Sequence, residues 1–372
     1  VPRLFKFFGY CWTKLWLLGV IMLITVALGV SALRASLPYI TQYNQEFSQY
    51  LSDNYQVDLT LSSMTGQWLN GGPEIIISDL KFNNMAKFGV DFTADKLKFS
   101  LDFHASLMAL APRFSVVELI NPKVTLGQLP KTQSTASDPV PDLFNVITKL
   151  VVEDASIEFE PGTYGEMPSI GLKRLQWLNN LNRHQLTLSL APLPGGESDP
   201  LSLVADFYGD NSNNIDGQFY LKATKWQWLD NLRPLLAALN PTASAQASFE
   251  LWGDFSEQGL TSAFMAVADN YIRWDQGGHQ QQLSLKPGDL QWQQKLQGWQ
   301  LTGHKLKITT NLIEWPSINL LLSQHQGQLS LSLDKLALAN LVALRGLASA
   351  LTPATDKLLT QLQPDAKLTE FS

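Results

Sequence analysis

The sequence predicts a mainly β protein: one N-terminal transmembrane helix, then an elongated antiparallel β-sheet with short interspersed helices. Three observations predict it. Residues 15–33, LWLLGVIMLITVALGVSAL, contain no charge and no proline. From Tyr55 onward the apolar period changes from that of a helix to that of a strand. Polar turn residues then recur at intervals of ~10 residues, the spacing of an antiparallel meander.

The apolar run comes first. At ~1.5 Å per residue it is ~28 Å long as a helix, the thickness of a bilayer's hydrocarbon core. Lys14 and Arg34 bracket it, and Trp12 and Trp16 stand at its start, where indole rings favour the membrane interface. Leu15, Leu17, Val20, Ile24, Leu28 and Leu33 are the expected anchoring residues. Arg3, Lys6 and Lys14 precede the span, whereas after Arg34 the next basic residue is Lys81, with Glu46, Asp53 and Asp58 in between. The positive-inside rule then places the short N-terminus in the cytoplasm and the bulk of the chain across the membrane. A cleaved signal peptide fits less well, because the apolar run is long for one and Val30-Ser31-Ala32 is only a passable cleavage site.

Composition narrows the function classes. The chain has 372 residues, enough for two domains or one long architecture. A net charge of −6 with no basic patch argues against nucleic acid as a partner. Charged residues make up 16%, against ~25% in a typical domain, so either the core is large or apolar surface is left over. Cys11 is the only cysteine and lies at the membrane end, which excludes an intrachain disulfide and a cysteine metal site. His104, His184, His279, His304 and His325 form no metal or catalytic pairing in sequence. Nucleophile elbow, phosphate loop and dinucleotide fingerprint are all missing. Asp53 with Asp58, or Asp91 with Asp95, read as turn or strand-face carboxylates rather than acid–base pairs. No enzymatic activity, metal or cofactor is expected.

Along the chain, Ile40, Tyr43, Phe47 and Leu51 recur at helical spacing, so Pro38–Leu51 reads as an amphipathic extension of the anchor. Val57, Leu59 and Leu61 open the first strand, residues 70–73 (NGGP) form a turn, and Glu74–Phe82 is the next strand. Val90, Phe92 and Ala94 alternate in one phase and Leu97, Phe99, Leu101 and Phe103 in the other, which predicts a β-bulge at Asp95-Lys96. Phe114–Leu126 and Leu150–Phe159 share one layout, read as strand, tight turn, strand. Each follows a predicted short helix, His104–Ala111 and Pro141–Lys149, with Pro130–Pro139 as a loop between them. Helix-then-strand units recur at Trp226–Leu251 and Leu336–Thr369, which suggests an extended array. The intervening strands are His184–Leu190, Leu201–Phe207, Ile215–Leu221, Ala245–Trp252, Leu260–Ala268, Gln282–Leu285, Leu301–Ile308, Ile318–Leu322 and Gln328–Leu333. Their connectors include residues 194–196 (PGG), 210–214 (DNSNN), Gly253 to Gly259, 275–278 (DQGG) and 324–327 (QHQG). The chain stops at Lys367–Ser372, the opening of one more strand, and starts at Val1, and so reads as a truncated chain. Of 11 tryptophans, nine lie beyond the anchor; core packing is the first reading for these, lipid-groove edges the second, and glycan stacking the third.

Several segments together resemble a known family. They are Ala32–Pro38 (ALRASLP), Ser62–Trp68 (SSMTGQW), Gly72-Pro73, Ser78–Leu80, Leu175–Asn179 (LQWLN), Asn182–His184 and Leu344–Leu347 (LRGL). In these the chain is similar to the near end of the AsmA-like inner-membrane proteins of Gram-negative bacteria, of the YhdP type, whose members are several times longer. The resemblance implies a repeating β-groove: a long curved sheet whose apolar face carries phospholipid acyl chains between inner and outer membranes. On that reading residues 1–36 are the cytoplasmic stub and anchor, 37–130 the first periplasmic helix and groove unit, and 131–372 further groove repeats. The groove residues would be Leu97, Phe99, Leu101, Phe103, Leu186, Leu188, Leu190, Leu201, Leu203, Phe219, Leu221, Phe249, Leu251, Leu329, Leu331 and Leu333. Phospholipid and the inner membrane are the implied partners, with envelope proteins as further candidates. The rival reading is an anchored periplasmic scaffold that binds proteins along its sheet.

Overall fold

The structure, a computed structural model, describes residues 2–46, 48–49, 59–69, 72–84, 89–109, 111–127, 147–160, 169–190, 201–209, 214–227, 229, 242–276, 278–311, 313–337 and 367–371. Helix α1 spans Pro2–Ser36. Proline at its first position costs no hydrogen bond. Its few hydroxyls turn back onto the helix: Thr25 Oγ1 donates to the Ile21 carbonyl, Ser31 Oγ to Ala27 and Ser36 Oγ to Leu33. Between Lys14 and Arg34 a helix so satisfied presents apolar surface. Leu15, Leu17, Val20, Ile24, Leu28 and Leu33 are all exposed on it. Among the described residues it is the one helix long and apolar enough to cross a membrane.

The expected amphipathic helix after the anchor begins instead as a 3-10 helix, Leu37–Tyr43. Its tighter winding suits a short connector that starts at a proline. Strand β1 is Leu59–Thr60, β2 Ser63–Leu69 and β3 Gly72–Asn84. Leu37 is buried against β2, and its carbonyl lies over Gly66, where a Cβ would come within 2.7 Å of it. Ile40 packs on a core of Met64, Ile77 and Leu80. The strap from the anchor is therefore seated on the sheet, with about 1.5–3 kcal/mol available from each large apolar side chain it buries. Phe47, Leu51 and Val57 lie outside the described residues.

Strand β4 is Val90–Leu101, α2 is Phe103–Ala109, β5 is Phe114–Ile120 and β6 is Lys123–Leu126. The phase slip in β4 is a kink shared with β3 rather than the expected β-bulge: Asp95 and Asp79 stand unpaired, Asp79 at a positive φ of 51°, and the register is the same on either side, Ser78↔Lys96 and Leu80↔Ala94. The expected strand through Phe103 ends at Leu101, and Phe103 starts α2, its ring tilted against that of Trp68 at 6.1 Å. Strand β7 is Lys149–Phe159. The first predicted strand–turn–strand unit is two strands, β5 and β6, that both pair with β4 on one side and β7 on the other, and the second is a single strand, β7, kinked at Asp154 with φ 53° and the register unchanged. A kink residue at positive φ leaves the same local polar signature as a turn, which is why the sequence suggested one.

The pairing of β7 with β5 and β6 is parallel, so the sheet is mixed rather than wholly antiparallel. Some twenty residues separate β6 from β7, room for the crossover a parallel pair needs. The predicted helices at 141–149, 226–240 and 336–351 fall mostly outside the described residues. Lys149 belongs to β7, Trp226 to β11 and Leu336 to β21.

Strands β8 (Ile170–Asn180), β9 (Arg183–Leu190), β10 (Leu201–Gly209), β11 (Ile215–Trp226), β12 (Ser244–Ser256) and β13 (Gly259–Val267) continue the sheet as antiparallel neighbours. Gly253, expected in a turn, lies mid-strand opposite Phe219 and Ala263. A Cβ there would fall within 2.4 Å of the Phe219 ring, so the glycine gives that ring its place. Strands β14 (Asn270–Gln276) and β15 (His279–Leu285) then turn off the sheet. Strand β16 (Gly288–Lys295) and β17 (Gly298–Leu306) return to it, and β18 (Ile308–Thr310) and β19 (Ile313–Glu314) leave it again. Strands β20 (Ile318–His325), β21 (Gln328–Ala337) and β22 (Lys367–Phe371) complete the main run. The side sheet β14–β15–β18–β19 joins the main one through residues 244–246 of β12. Asn270 locks that corner: its Oδ1 accepts from Ser248 N, and its Nδ2 donates to the carbonyls of Ser248 and Ala268.

A valine at Gly66 would push against the Leu37 carbonyl. We expect Gly66→Val to lower stability by about 1–3 kcal/mol, the range for overpacking, and to make residues 37–46 susceptible to protease while the far strands keep their protection. Limited proteolysis with mass mapping checks this.

Candidate apolar groove

Because side chains alternate across a strand, residues that face one another in register share a face. One row runs Ile77, Leu97, Leu119, Val152, Leu175, Leu188, Leu203, Leu221, Leu251, Met265, Leu290, Gly303, Leu320, Leu333, each directly opposite the next. A second runs beside it: Ile75, Phe99, Val117, Leu150, Trp177, Leu186, Ala205, Phe219, Gly253, Ala263, Trp292, Leu301, Leu322, Leu331. Neither row contains a charged or hydrogen-bonding aliphatic side chain. At ~4.8 Å per strand they extend roughly 60 Å across the sheet.

The sixteen residues expected to line a groove fall almost wholly on this face. Leu97, Leu188, Leu203, Leu221, Leu251 and Leu333 belong to the first row, and Phe99, Leu186, Phe219 and Leu331 to the second. Leu190, Leu201 and Phe249 flank the rows on one side, opposite Leu172, Ala223 and Val267. Leu101 and Leu329 flank them on the other, opposite Phe114 and Gln324. Phe103 is the exception, since it sits in α2. Sequence reading missed β8 and β16 and with them Leu175, Trp177, Leu290 and Trp292. Their signal was present as single apolar residues spaced by two among glutamines, arginine and asparagines.

Among the described residues, the face is covered at two places. Near the anchor Leu37 and Ile40 lie on it. Farther along, the side sheet folds toward it, and its inner side packs Ile272, Trp274 and Leu283 with Leu229, Ala243 and Ala245. Between the two sheets is a cavity of about 390 Å³. Phe249, Met265, Val267 and Leu290 form its wall on the main sheet, and Ile272, Leu283, Leu285 and Ile308 form its wall on the side sheet. That volume is in the range of small-ligand pockets, ~300–1,000 Å³.

Polar groups near the rows are tied down. His184 is fully buried, its ring nitrogens 2.6 Å from Asn179 Oδ1 and 2.8 Å from the Gly209 carbonyl. Trp177 Nε1 donates to the same Asn179 oxygen, and Asn179 Nδ2 donates to the Ile147 carbonyl. The ring of Phe207 lies 5.2 Å from that of His184. These contacts make His184 a structural residue of the sheet end.

The opposite face has another chemistry. Cross-strand ion pairs recur on it: Lys98 with Glu118, Arg174 with Glu153, and Lys222 with Glu250. Arg183 grips Asp206 with Nε and Nη2, and that bidentate hydrogen bond holds the Asp206 carboxyl below its ordinary value. The hydrogen bond to Glu250 raises the Lys222 ammonium in the same way. Exposed pairs of this kind add little stability, but they keep one face wet while the other stays apolar.

A family model described as "YhdP protein" matches residues 3–372. The chain is also similar to the intermembrane phospholipid transporter YhdP of Escherichia coli (strain K12), 23% identical over 376 residues. That alignment covers 95% of this chain and 29% of the relative, so the chain spans less than a third of the relative's length. No solved structure matches.

Phe249 spans the wall of the cavity, so Phe249→Ala should enlarge it. The expected loss is about 2–3 kcal/mol, the low end for a phenylalanine truncation because the ring is only half-buried. Denaturant unfolding followed by fluorescence measures it.

Proposed function

The chain belongs to the YhdP family, and from that premise we propose that its two apolar rows are a path for phospholipid acyl chains leading away from the membrane that holds α1. The observation that carries the reading is the unbroken apolar register across fourteen successive strand positions. The relative's printed name, an intermembrane phospholipid transporter, fits that use. Moving a two-chain lipid through water exposes ~30 CH₂ groups at ~0.8 kcal/mol each, on the order of 25 kcal/mol. A continuous apolar strip removes most of that barrier. The headgroup remains in water above it, so the protein needs no covalent step.

In this reading the anchor crosses the inner membrane with Arg3, Lys6 and Lys14 in the cytoplasm, and the sheet stands in the periplasm, as the positive-inside rule requires. Leu296 lies in the exposed turn between β16 and β17. A cysteine placed there should react with a membrane-impermeant maleimide once the outer membrane is permeabilised, while one at Lys6 should react only after lysis. The reverse pattern would refute the topology.

The lipid path is tested on one strand. Leu188 and Thr187 are neighbours on β9 that face opposite sides, since each pairs with a residue of its own face. An arginine at Leu188 puts an unpaired charge in the path, which is costly wherever acyl chains exclude water. We expect Leu188→Arg to reduce co-purified phospholipid, counted by native mass spectrometry, to less than about half. Thr187→Arg should leave it unchanged. Equal lipid in both variants would remove β9 from the path.

A further inference from the structure

The polar face carries an aromatic row that the lipid reading leaves unused. Tyr220, Trp252 and Phe264 stand directly opposite one another on β11, β12 and β13. Their ring centroids are 5.3 and 5.9 Å apart, with interplanar angles of 44° and 39°, so each ring is tilted on the next. Trp252 is 42% exposed and Phe264 43%, on a face that carries many ion pairs and amides, and the row continues to the exposed Val204 opposite Tyr220. Cross-strand contact accounts for the ring pairs. It gives no reason for so much ring surface to remain in water.

What flanks the rings is equally ordered. Two residues along each strand, on one side, lie Gln218, Asp254 and Ser262, again opposite one another. On the other side lies the Lys222–Glu250 pair. A cleft of about 230 Å³ is lined by Trp252 and Phe264 together with Gln218, Asp254, Ser262 and Gln291. Asp254 is held in place by Ser262, whose Oγ donates to its Oδ2 at 2.5 Å. Tyr220 has the Glu250 carboxylate close by on the next strand.

We propose that this row is a binding platform for an extended β-1,4-linked glycan. A pyranose ring in its chair form has an apolar C–H face and an edge of equatorial hydroxyl or acetamido groups. Stacked aromatic faces take the first, and the amide and carboxylate row alongside takes the second. At ~4.8 Å per strand the three rings span ~10 Å, roughly two sugar units. An acyl chain would have no use for the flanking amides. A stable protein partner would need about 800 Å² on this side, more than a strip three rings long bounded by charge provides. The platform is on the face opposite the lipid path, so the two readings stand or fall separately.

The test is calorimetric titration of the full chain in nanodiscs with cellohexaose, chitohexaose and the α-linked maltohexaose. Binding of either β-linked hexaose, with maltohexaose at least tenfold weaker, is the expected result. Preference for chitohexaose assigns the edge contacts to acetamido groups, and equal binding assigns them to hydroxyls; both support the platform. Trp252→Ala should weaken binding about tenfold or more. Because that change also loosens the ring stack, Asp254→Ala serves as the second variant. It keeps all three rings, and should weaken binding several-fold with the melting temperature unchanged. Leu188→Arg should leave glycan binding as it is. No binding of either β-linked hexaose, equal binding of maltohexaose, or indifference to both Trp252→Ala and Asp254→Ala overturns the proposal. So does a photo-crosslinker at Phe264 that captures a protein from a chain binding no glycan.

Discussion

A β-strand turns every second side chain the same way, and hydrogen-bond register decides whether those chosen on one strand meet those chosen on the next. This one constraint underlies both faces of the molecule. A slip of a single residue in any pairing would set a leucine row against a glutamine row. The irregularities at Asp79, Asp154, Lys225 and Lys305 are therefore informative: each takes φ near 50°, the register shifting by one residue at Lys225 and Lys305 and running on unchanged past Asp79 and Asp154. After each, the apolar phase continues on the same face, as Leu80 shows opposite Ala94 and Leu306 opposite Ile318. Neighbouring strands capture the freed amides. Ser248 Oγ accepts from Lys225 N, and Asn319 Oδ1 accepts from Lys305 N.

The same constraint explains what an apolar face of this length costs in isolation. Two rows of leucine, phenylalanine and valine across fourteen strands would be an aggregation hazard if left bare. Three features moderate it. The strap from the anchor covers the first strands with Leu37 and Ile40. The side sheet closes over the edge near Phe249 and leaves a cavity rather than a packed core. Ligand occupancy would cover the remainder, which is the physical content of the lipid reading.

Much of this was legible in the sequence, and the failures are instructive. The anchor came from an uncharged apolar run, and the switch to period two and the shared face of fifteen of the sixteen expected residues from alternation, because leucine at every second position has few other readings. Phe103 misled because it continues the alternation for one step beyond the strand's end. Gly253-Asp254 looked like a turn, and proved to be the space needed by the Phe219 ring from the next strand. A single sequence does not record such a cross-strand partner. The parallel pairing of β7 was invisible for the same reason: local pattern fixes a strand but says nothing of its neighbour's direction. The strands β8 and β16 were hidden by glutamine and tryptophan, whose period is weak although their pairing is regular.

The central claim is that lipid touches one phase of the strands and not the other. A photo-reactive amino acid placed in turn at each residue from Gln218 to Lys222 and from Glu250 to Asp254, in cells, tests it most directly. Phospholipid adducts found by mass spectrometry at Phe219, Leu221, Leu251 and Gly253, and missing at the positions between them, are the predicted result. Adducts at every position, at the alternate positions only, or at none would contradict the account.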